Sequence, residues 1–246
     1  FPNLKRISLI TLVSFLFSLL NPFIPALSDA FQGIQTPPAP TINGRNWGKG
    51  PRQELLAKRT RYAKVFLNSD FSQTAEVQLE SIHYLENGRW LEIDNTLVDS
   101  GNGELSNRAN SLKIFLAKQF NGQNPLVRIQ QDNHWLSLRP LGAKSATAVK
   151  EENTALYPEL YPGIDAKYQI HSDYLKENLI IKSPQLTSTT LQWELVSPTL
   201  TPVLSNGEIQ FRSSSGNPVF TLPAPFLLDQ QGAVNHNISL NLTSGS

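Results

Sequence analysis

The 246-residue chain contains no cysteine and no methionine. Without a thiol there are no disulfides, zinc-thiolate sites or cysteine nucleophiles, so a hydrophobic core must hold the fold. Excess charge of either sign is also missing: 21 Lys plus Arg stand against 20 Asp plus Glu, a formal net charge of +1. No net field then favours nucleic acid or an anionic membrane surface. No segment sustains a helical period, and no Gly-Xaa-Ser-Xaa-Gly elbow, phosphate loop or His-Glu-Xaa-Xaa-His occurs. The most recognisable helical folds and enzyme classes are thereby removed.

What is present is a hairpin grammar. In Ser81 to Leu97, Asn87-Gly88 suits a two-residue type I′ turn, which needs φ > 0 at both positions. The turn predicts Glu86 opposite Arg89, Leu85 opposite Trp90, Tyr84 opposite Leu91 and Ile82 opposite Ile93. Ile82, Tyr84, Leu91 and Ile93 then share an apolar face, and Ser81, His83, Glu92 and Asp94 a polar one. Each apolar side chain gains roughly 1.5–3 kcal/mol on full burial, whereas a cross-strand pair gains about 0.2–1 kcal/mol. Burial is therefore expected to fix the register, and a lone hairpin cannot supply it. More strands must follow.

They do. Leu126 to Arg139 repeats the pattern around Asp132-Asn133, with Ile129 opposite Leu136, Val127 opposite Leu138, and Arg128 and Ser137 facing out. Both hairpins carry a Trp two residues after the turn, Trp90 and Trp135, on the face opposite the apolar pairs. Further short strands are expected at 65–67, 75–79, 111–117, 164–170, 179–181, 191–196, 208–211, 219–222 and 238–242. Asn206-Gly207, Gly216-Asn217 and Gln231-Gly232 punctuate the last of them. Gly142 to Asn153 reads as a polar surface loop.

Ahead of these strands, Lys5-Arg6, an uncharged run from Ile7 to Leu20, Pro22 and the small residues Ser28 and Ala30 predict a secretory signal peptide over residues 1–30. The competing reading is an uncleaved membrane anchor over 7–27. Residues 31–53, rich in Pro and Gly, read as an extended linker, and residues 54–246 as the folded module. The basic stretch Lys58, Arg59, Arg61 and Lys64 reads as a solvated lead-in to the first strand. Methionine is absent even at position 1, so the sequence is expected to begin just after an initiator residue. Asn237-Ile-Ser and Asn241-Leu-Thr have glycosylation spacing, a signal that arises readily by chance.

Candidate chemistry is sparse. His83, His134, His171 and His236 lack a paired ligand spacing, and Asp99 to Glu104 lacks the alternating carboxylates of a calcium loop, so no metal and no cofactor are expected. Asp94, Asp165 and Glu177 could be imagined as glycosidase carboxylates. Local bonds to turn amides account for Asp165 and Glu177 more simply. The chain is thus expected not to be an enzyme, with a glycosidase a distant third reading.

Several stretches resemble one family. Lys58-Arg59-Thr60, Ile82-His83-Tyr84, Asn87 to Leu97 and Asn107 to Phe115 are similar to the amino-terminal region of large secreted wall-associated and Rhs (YD-repeat) proteins. Tyr161-Pro162-Gly163-Ile164-Asp165 with Tyr168, Leu175-Lys176-Glu177, and Pro223-Ala224-Pro225-Phe226 with Asp229 and Gly232 continue the resemblance. It implies a non-catalytic β-rich module ahead of further modules, YD repeats and a variable C-terminal tip, neither repeats nor tip being in this sequence.

The expectation is an all-β chain: a large antiparallel β-sandwich built from consecutive hairpins, as one body or as two lobes meeting near 142–156. Its function is expected to be that of a structural and interaction module of a secreted or cell-surface protein. Its partners would be neighbouring modules of the same longer protein or the cell envelope, with no nucleic acid and no membrane beyond the signal segment. His83, Glu92, Trp90 and Trp135 form the candidate interaction surface. The alternative is a carbohydrate-binding module, motivated by Trp47, Trp90, Trp135 and Trp193.

Overall fold

A computed structural model describes residues 4–10, 14–19, 52–182 and 190–244. Among the described residues the chain is all-β, with one 3-10 turn at Leu56–Lys58 and no helix long and apolar enough to cross a membrane. The alternation that predicts strands also builds them. In Ile164–Ile170 the buried Ile164, Ala166, Tyr168 and Ile170 alternate with half-buried Asp165, Lys167 and Gln169.

Two eight-stranded antiparallel sheets dominate. The first runs, in spatial order, Ser239–Ser244, Leu4–Ile10, Thr190–Val196, His134–Leu141, Val127–Gln131, Lys113–Ala117, Glu104–Ala109 and Asp94–Gly101. The second runs Val149–Glu151, Thr154–Tyr161, Ile164–Ile170, Tyr174–Ile181, Ser14–Leu19, Pro218–Leu222, Glu208–Arg212 and Thr201–Ser205. One hydrophobic cluster joins them. It takes Leu116, Ile129, Leu136 and Trp193 from the first sheet and Tyr157, Tyr168, Phe211 and Phe220 from the second. Residues on both sides of 142–156 belong to it. The Tyr157 hydroxyl donates to the Ala117 carbonyl at 2.6 Å, and the Tyr161 and Trp193 rings meet edge-on at 6.4 Å, so both contacts span the sandwich.

The two hairpin registers are the expected ones. His83 pairs with Glu92, Tyr84 with Leu91 and Leu85 with Trp90, with Asn87 at φ 50° and Gly88 at φ 76°. Val127 pairs with Leu138 and Ile129 with Leu136. Arg128 lies over the Phe115 ring at 3.8 Å, but Ser137, expected to face out, is buried. The stretch 142–153, expected to be a loop, forms the short strands Ala146–Thr147 and Val149–Glu151. Thr154–Tyr161 escaped the sequence reading because its alternation is broken by a register shift between Tyr157 and Tyr161, with Glu159 at φ 52°.

Of the N-terminal run read as a signal peptide, Leu4–Ile10 and Ser14–Leu19 are strands, one in each large sheet. The remainder of 1–30, and the linker up to residue 51, lie outside the described residues, as does Trp47. A smaller three-stranded sheet, Gln53–Glu54, Ala63–Leu67 and Gln73–Val77, and the separate hairpin His83–Glu86 with Arg89–Glu92 form a satellite ahead of the sandwich.

Candidate functional site

The satellite contains a constellation of paired polar and charged side chains. The lead-in strand lies against the first hairpin: the Ile82 and His83 amides donate to the Arg61 carbonyl at 2.9 and 3.1 Å. This turns the hairpin over relative to expectation. Ser81 and His83 on its polar face are buried at 1% exposure each, while Ile82, Tyr84, Leu91 and Ile93 are only half-buried. The physical reason is that Arg59, Arg61 and Lys64 of the basic lead-in are half-buried, Lys58 alone being exposed. Its two arginines fold under the hairpin and satisfy the polar face there.

Arg59 is the centre of the clamp. Its Nε and one terminal nitrogen bind the two Glu54 carboxylate oxygens at 2.7 and 2.9 Å, that terminal nitrogen reaches Glu92 at 3.0 Å, and the other reaches the Trp90 carbonyl at 3.3 Å. Lys64 adds a 2.7 Å bond to Glu92. The Arg59 side chain holds the Glu54 carboxyl below the ordinary carboxylate range, and Lys64, with Arg59 behind it, does the same to Glu92. Beside it, Arg61 binds Ser81 Oγ at 2.8 Å and Asp173 at 2.7 Å, and Ser81 donates to Asp173 at 2.6 Å. Asp173 belongs to the turn between two strands of the second large sheet, so this triad fastens the satellite to the sandwich. A cleft of about 350 Å³ opens there, with Lys64, Glu76, Ser81, Glu92 and Asn95 among its walls.

His83 Nδ1 lies 2.7 Å from the Thr60 carbonyl oxygen, which can only accept, so Nδ1 carries a proton. Nε2 is buried without a hydrogen-bond partner. Glu54, His83 and Glu92 place their ligand atoms within 4.8 Å of one another, a donor set that divalent metals accept. Both carboxylates are already neutralised by Arg59 and Lys64, and a metal would have to displace these cations. Histidine spacing alone carries no signal for this trio, because its carboxylates come from a different strand and from across the hairpin.

Of the four expected interaction residues, the structure brings His83, Glu92 and Trp90 together on one hairpin and places Trp135 in the first large sheet. His83 is interior rather than surface. Glu92 is exposed but doubly paired. Trp90 and Trp135 are half-buried on separate sheets, and Trp193 is in the core. The four histidines do not converge: His134 contacts Thr199, His171 stacks on Tyr174 at 4.3 Å, and His236 lies by Phe226.

The imagined glycosidase carboxylates are also dispersed. Asp94 pairs with Arg108, and Asp165 with Lys182 while accepting the Glu159 amide at 2.6 Å. Asp165 pairs across the sheet with Ile180, three positions from Glu177, so the two carboxylates occupy opposite faces. Glu177, expected to bond its own turn, instead sits in the core at 3% exposure and accepts the Tyr168 hydroxyl at 2.5 Å. Burial pushes its carboxyl up to about 8. The Leu175-Xaa-Glu177-Xaa-Leu179 alternation carried the signal that this residue faces in. The Asp99 to Glu104 turn holds no open carboxylate pair, since Asp99 binds Lys118 and Glu104 binds Arg128.

No family model matches the chain, and no solved structure matches it. Over 193 residues it is 24% identical to the tRNA3(Ser)-specific nuclease WapA of Bacillus spizizenii and, equally, to the tRNA nuclease WapA of Bacillus subtilis strain 168. Each match takes in 72% of this chain and 8% of the relative. Over 194 residues it is 24% identical to the wall-associated protein of Geobacillus stearothermophilus, covering 74% of that protein. The similarity is to wall-associated proteins. The chain spans less than a tenth of the length of the nucleases it matches, and the likeness supports a cell-surface or secreted location. The expectation that the chain is not an enzyme is corrected: relatives over this region are named as tRNA-specific nucleases, so absence of catalytic motifs here does not exclude enzymatic activity.

Proposed function

We propose that the chain is a structural and interaction module of a secreted or cell-surface wall-associated protein. The nuclease activity named in its relatives is that of polypeptides of which this chain matches 8%. The observation that carries this reading is the match over 72% of the chain to a wall-associated protein that is itself covered for three quarters of its length. The clamp agrees with it. Every charged group of the clamp is spent on holding the satellite together and against the sandwich, which suits a rigid docking platform. Its partners are neighbouring modules of the same polypeptide or the cell envelope.

The test is expression of the full chain in a Gram-positive host, followed by separation of cytoplasm, wall and medium. The chain is expected in the wall or the medium, and retention in the cytoplasm would overturn the proposal. The alternative of glycan recognition gains little from the described tryptophans, because Trp193 is in the core and Trp90 and Trp135 are half-buried on separate sheets. Saturable binding of the chain to wall polysaccharide, lost in both Trp90→Ala and Trp135→Ala, would favour it instead.

A further inference from the structure

Each large sheet depends on one N-terminal strand for its continuity. Leu4–Ile10 pairs at seven positions with Thr190–Val196 on one side and at six with Ser239–Ser244 on the other. Ser14–Leu19 pairs at five positions with Tyr174–Ile181 and at two with Pro218–Leu222. Neither pair of flanking strands has another connection in its sheet order. Yet the same segment reads as a cleavable export signal, with Lys5-Arg6, an uncharged run from Ile7 to Leu20, and Ser28 and Ala30 ahead of Phe31. Both cannot hold in an exported protein unless something replaces the strands.

Removing the segment would expose four strand edges inside the sheets. These are not polar edges of the kind that proteins leave open. The flanking strands carry buried Leu191, Trp193 and Leu195 in one sheet, and Leu175, Phe220 and Leu222 in the other. Opening these positions would strip ladder partners from backbone next to the core and uncover apolar surface, two costs that are met together by adding a strand.

We infer that the sandwich contains two strand-wide slots, between Thr190–Val196 and Ser239–Ser244 and between Tyr174–Ile181 and Pro218–Leu222. In the exported protein these are filled by a β-arch donated from elsewhere in the same wall-associated polypeptide. The geometry specifies the donor: two extended strands of seven and six residues, one for each sheet. A second copy is a poorer source, since its own described strands are already paired. A polypeptide as long as the nuclease relatives, of which this chain matches 8%, has ample further sequence to supply one. The inference rests on the export reading of residues 1–30, and the experiment separates the two.

The full chain is secreted from a Gram-positive host, its N-terminus is determined by mass spectrometry, and amide exchange is compared with that of the uncut chain refolded from inclusion bodies. A synthetic peptide of residues 4–19 serves as the donor probe. Cleavage before Phe31 is expected, with exchange about tenfold or more faster in the four slot-flanking strands and unchanged in Lys113–Ala117 and Val127–Gln131. The peptide should then restore protection at the flanking strands. If cleavage unfolds the whole chain, co-refolding with the peptide should recover it, and failure of that rescue overturns the inference. Three further results also overturn it: retention of residues 1–30 on the exported chain, full protection of the flanking strands in the cleaved monomer without peptide, or protection regained only through a dimer. The first of these refutes cleavage of residues 1–30, whereas the other two refute the slots or their donor while leaving cleavage intact.

Discussion

Glu177 offers a quantitative test of how the core is built. Its carboxyl is interior, on the strand Tyr174–Ile181, opposite Tyr168 in the ladder. Burial raises it from 4.5 to about 8, with the Tyr168 hydroxyl opposing the shift. A raised carboxyl means that the folded state binds a proton that the unfolded chain has lost, so stability falls as pH rises from about 4.5 through about 8. Each pKa unit corresponds to about 1.4 kcal/mol, so the whole shift amounts to an upper bound of about 5 kcal/mol. Between pH 6 and 9 the loss works out at about 2.5 kcal/mol, because part of the penalty is already present at pH 6. Urea denaturation of the full chain and of Glu177→Gln at both pH values isolates this contribution, since the groups shared by the two proteins cancel in the difference. The wild type should lose about 2.5 kcal/mol more than the variant over this range. Parallel pH profiles for the two proteins would refute the reasoning and would mean that Glu177 ionises freely or is not interior.

The clamp and the first turn yield local rather than global effects. Arg59→Ala removes the partner of the mostly buried Glu54 and should cost about 1–3 kcal/mol, read as faster amide exchange in the hairpin Arg89–Glu92 with Ile164–Ile170 unchanged. Because Arg59 and Lys64 hold Glu54 and Glu92 below 4.5, their contribution is present above that pH and is lost as pH falls through the lowered values. Hairpin protection factors, corrected for the intrinsic exchange rate at each pH, should therefore fall between pH 5 and pH 3 in the wild type and change less in a Glu54→Gln, Glu92→Gln double variant. Gly88 sits at φ 76° with open space around its α-carbon, so Gly88→Val is penalised by backbone conformation alone. About 1–2 kcal/mol of local destabilisation is expected at the hairpin by amide exchange, whereas Gly88→Asn should be milder.

Strand pairing near turns was legible in the sequence because a two-residue turn fixes every opposing pair. Asn87-Gly88 and Asp132-Asn133 set the registers of His83 with Glu92 and of Ile129 with Leu136. The inward set Ile164, Ala166, Tyr168 and Ile170 followed from alternation alone. Which face of the first hairpin is interior did not follow, because that depends on what packs against it. The segment 59–61, about twenty to thirty residues earlier in the chain, folds over the polar face, where Arg61 binds Ser81 and the Thr60 carbonyl accepts from His83, and this offsets the cost of burying both. The Glu54, His83 and Glu92 cluster is likewise a product of three segments meeting. The order of the large sheets was hidden for the same reason. Thr190–Val196 lies beside His134–Leu141, and Ser14–Leu19 lies beside Tyr174–Ile181, pairings between segments separated by about fifty to one hundred and sixty residues. Local sequence sets which residues oppose each other within a hairpin; only closure of the core selects which distant edges meet, because the free energy of that choice lies in apolar surface that no single hairpin can bury.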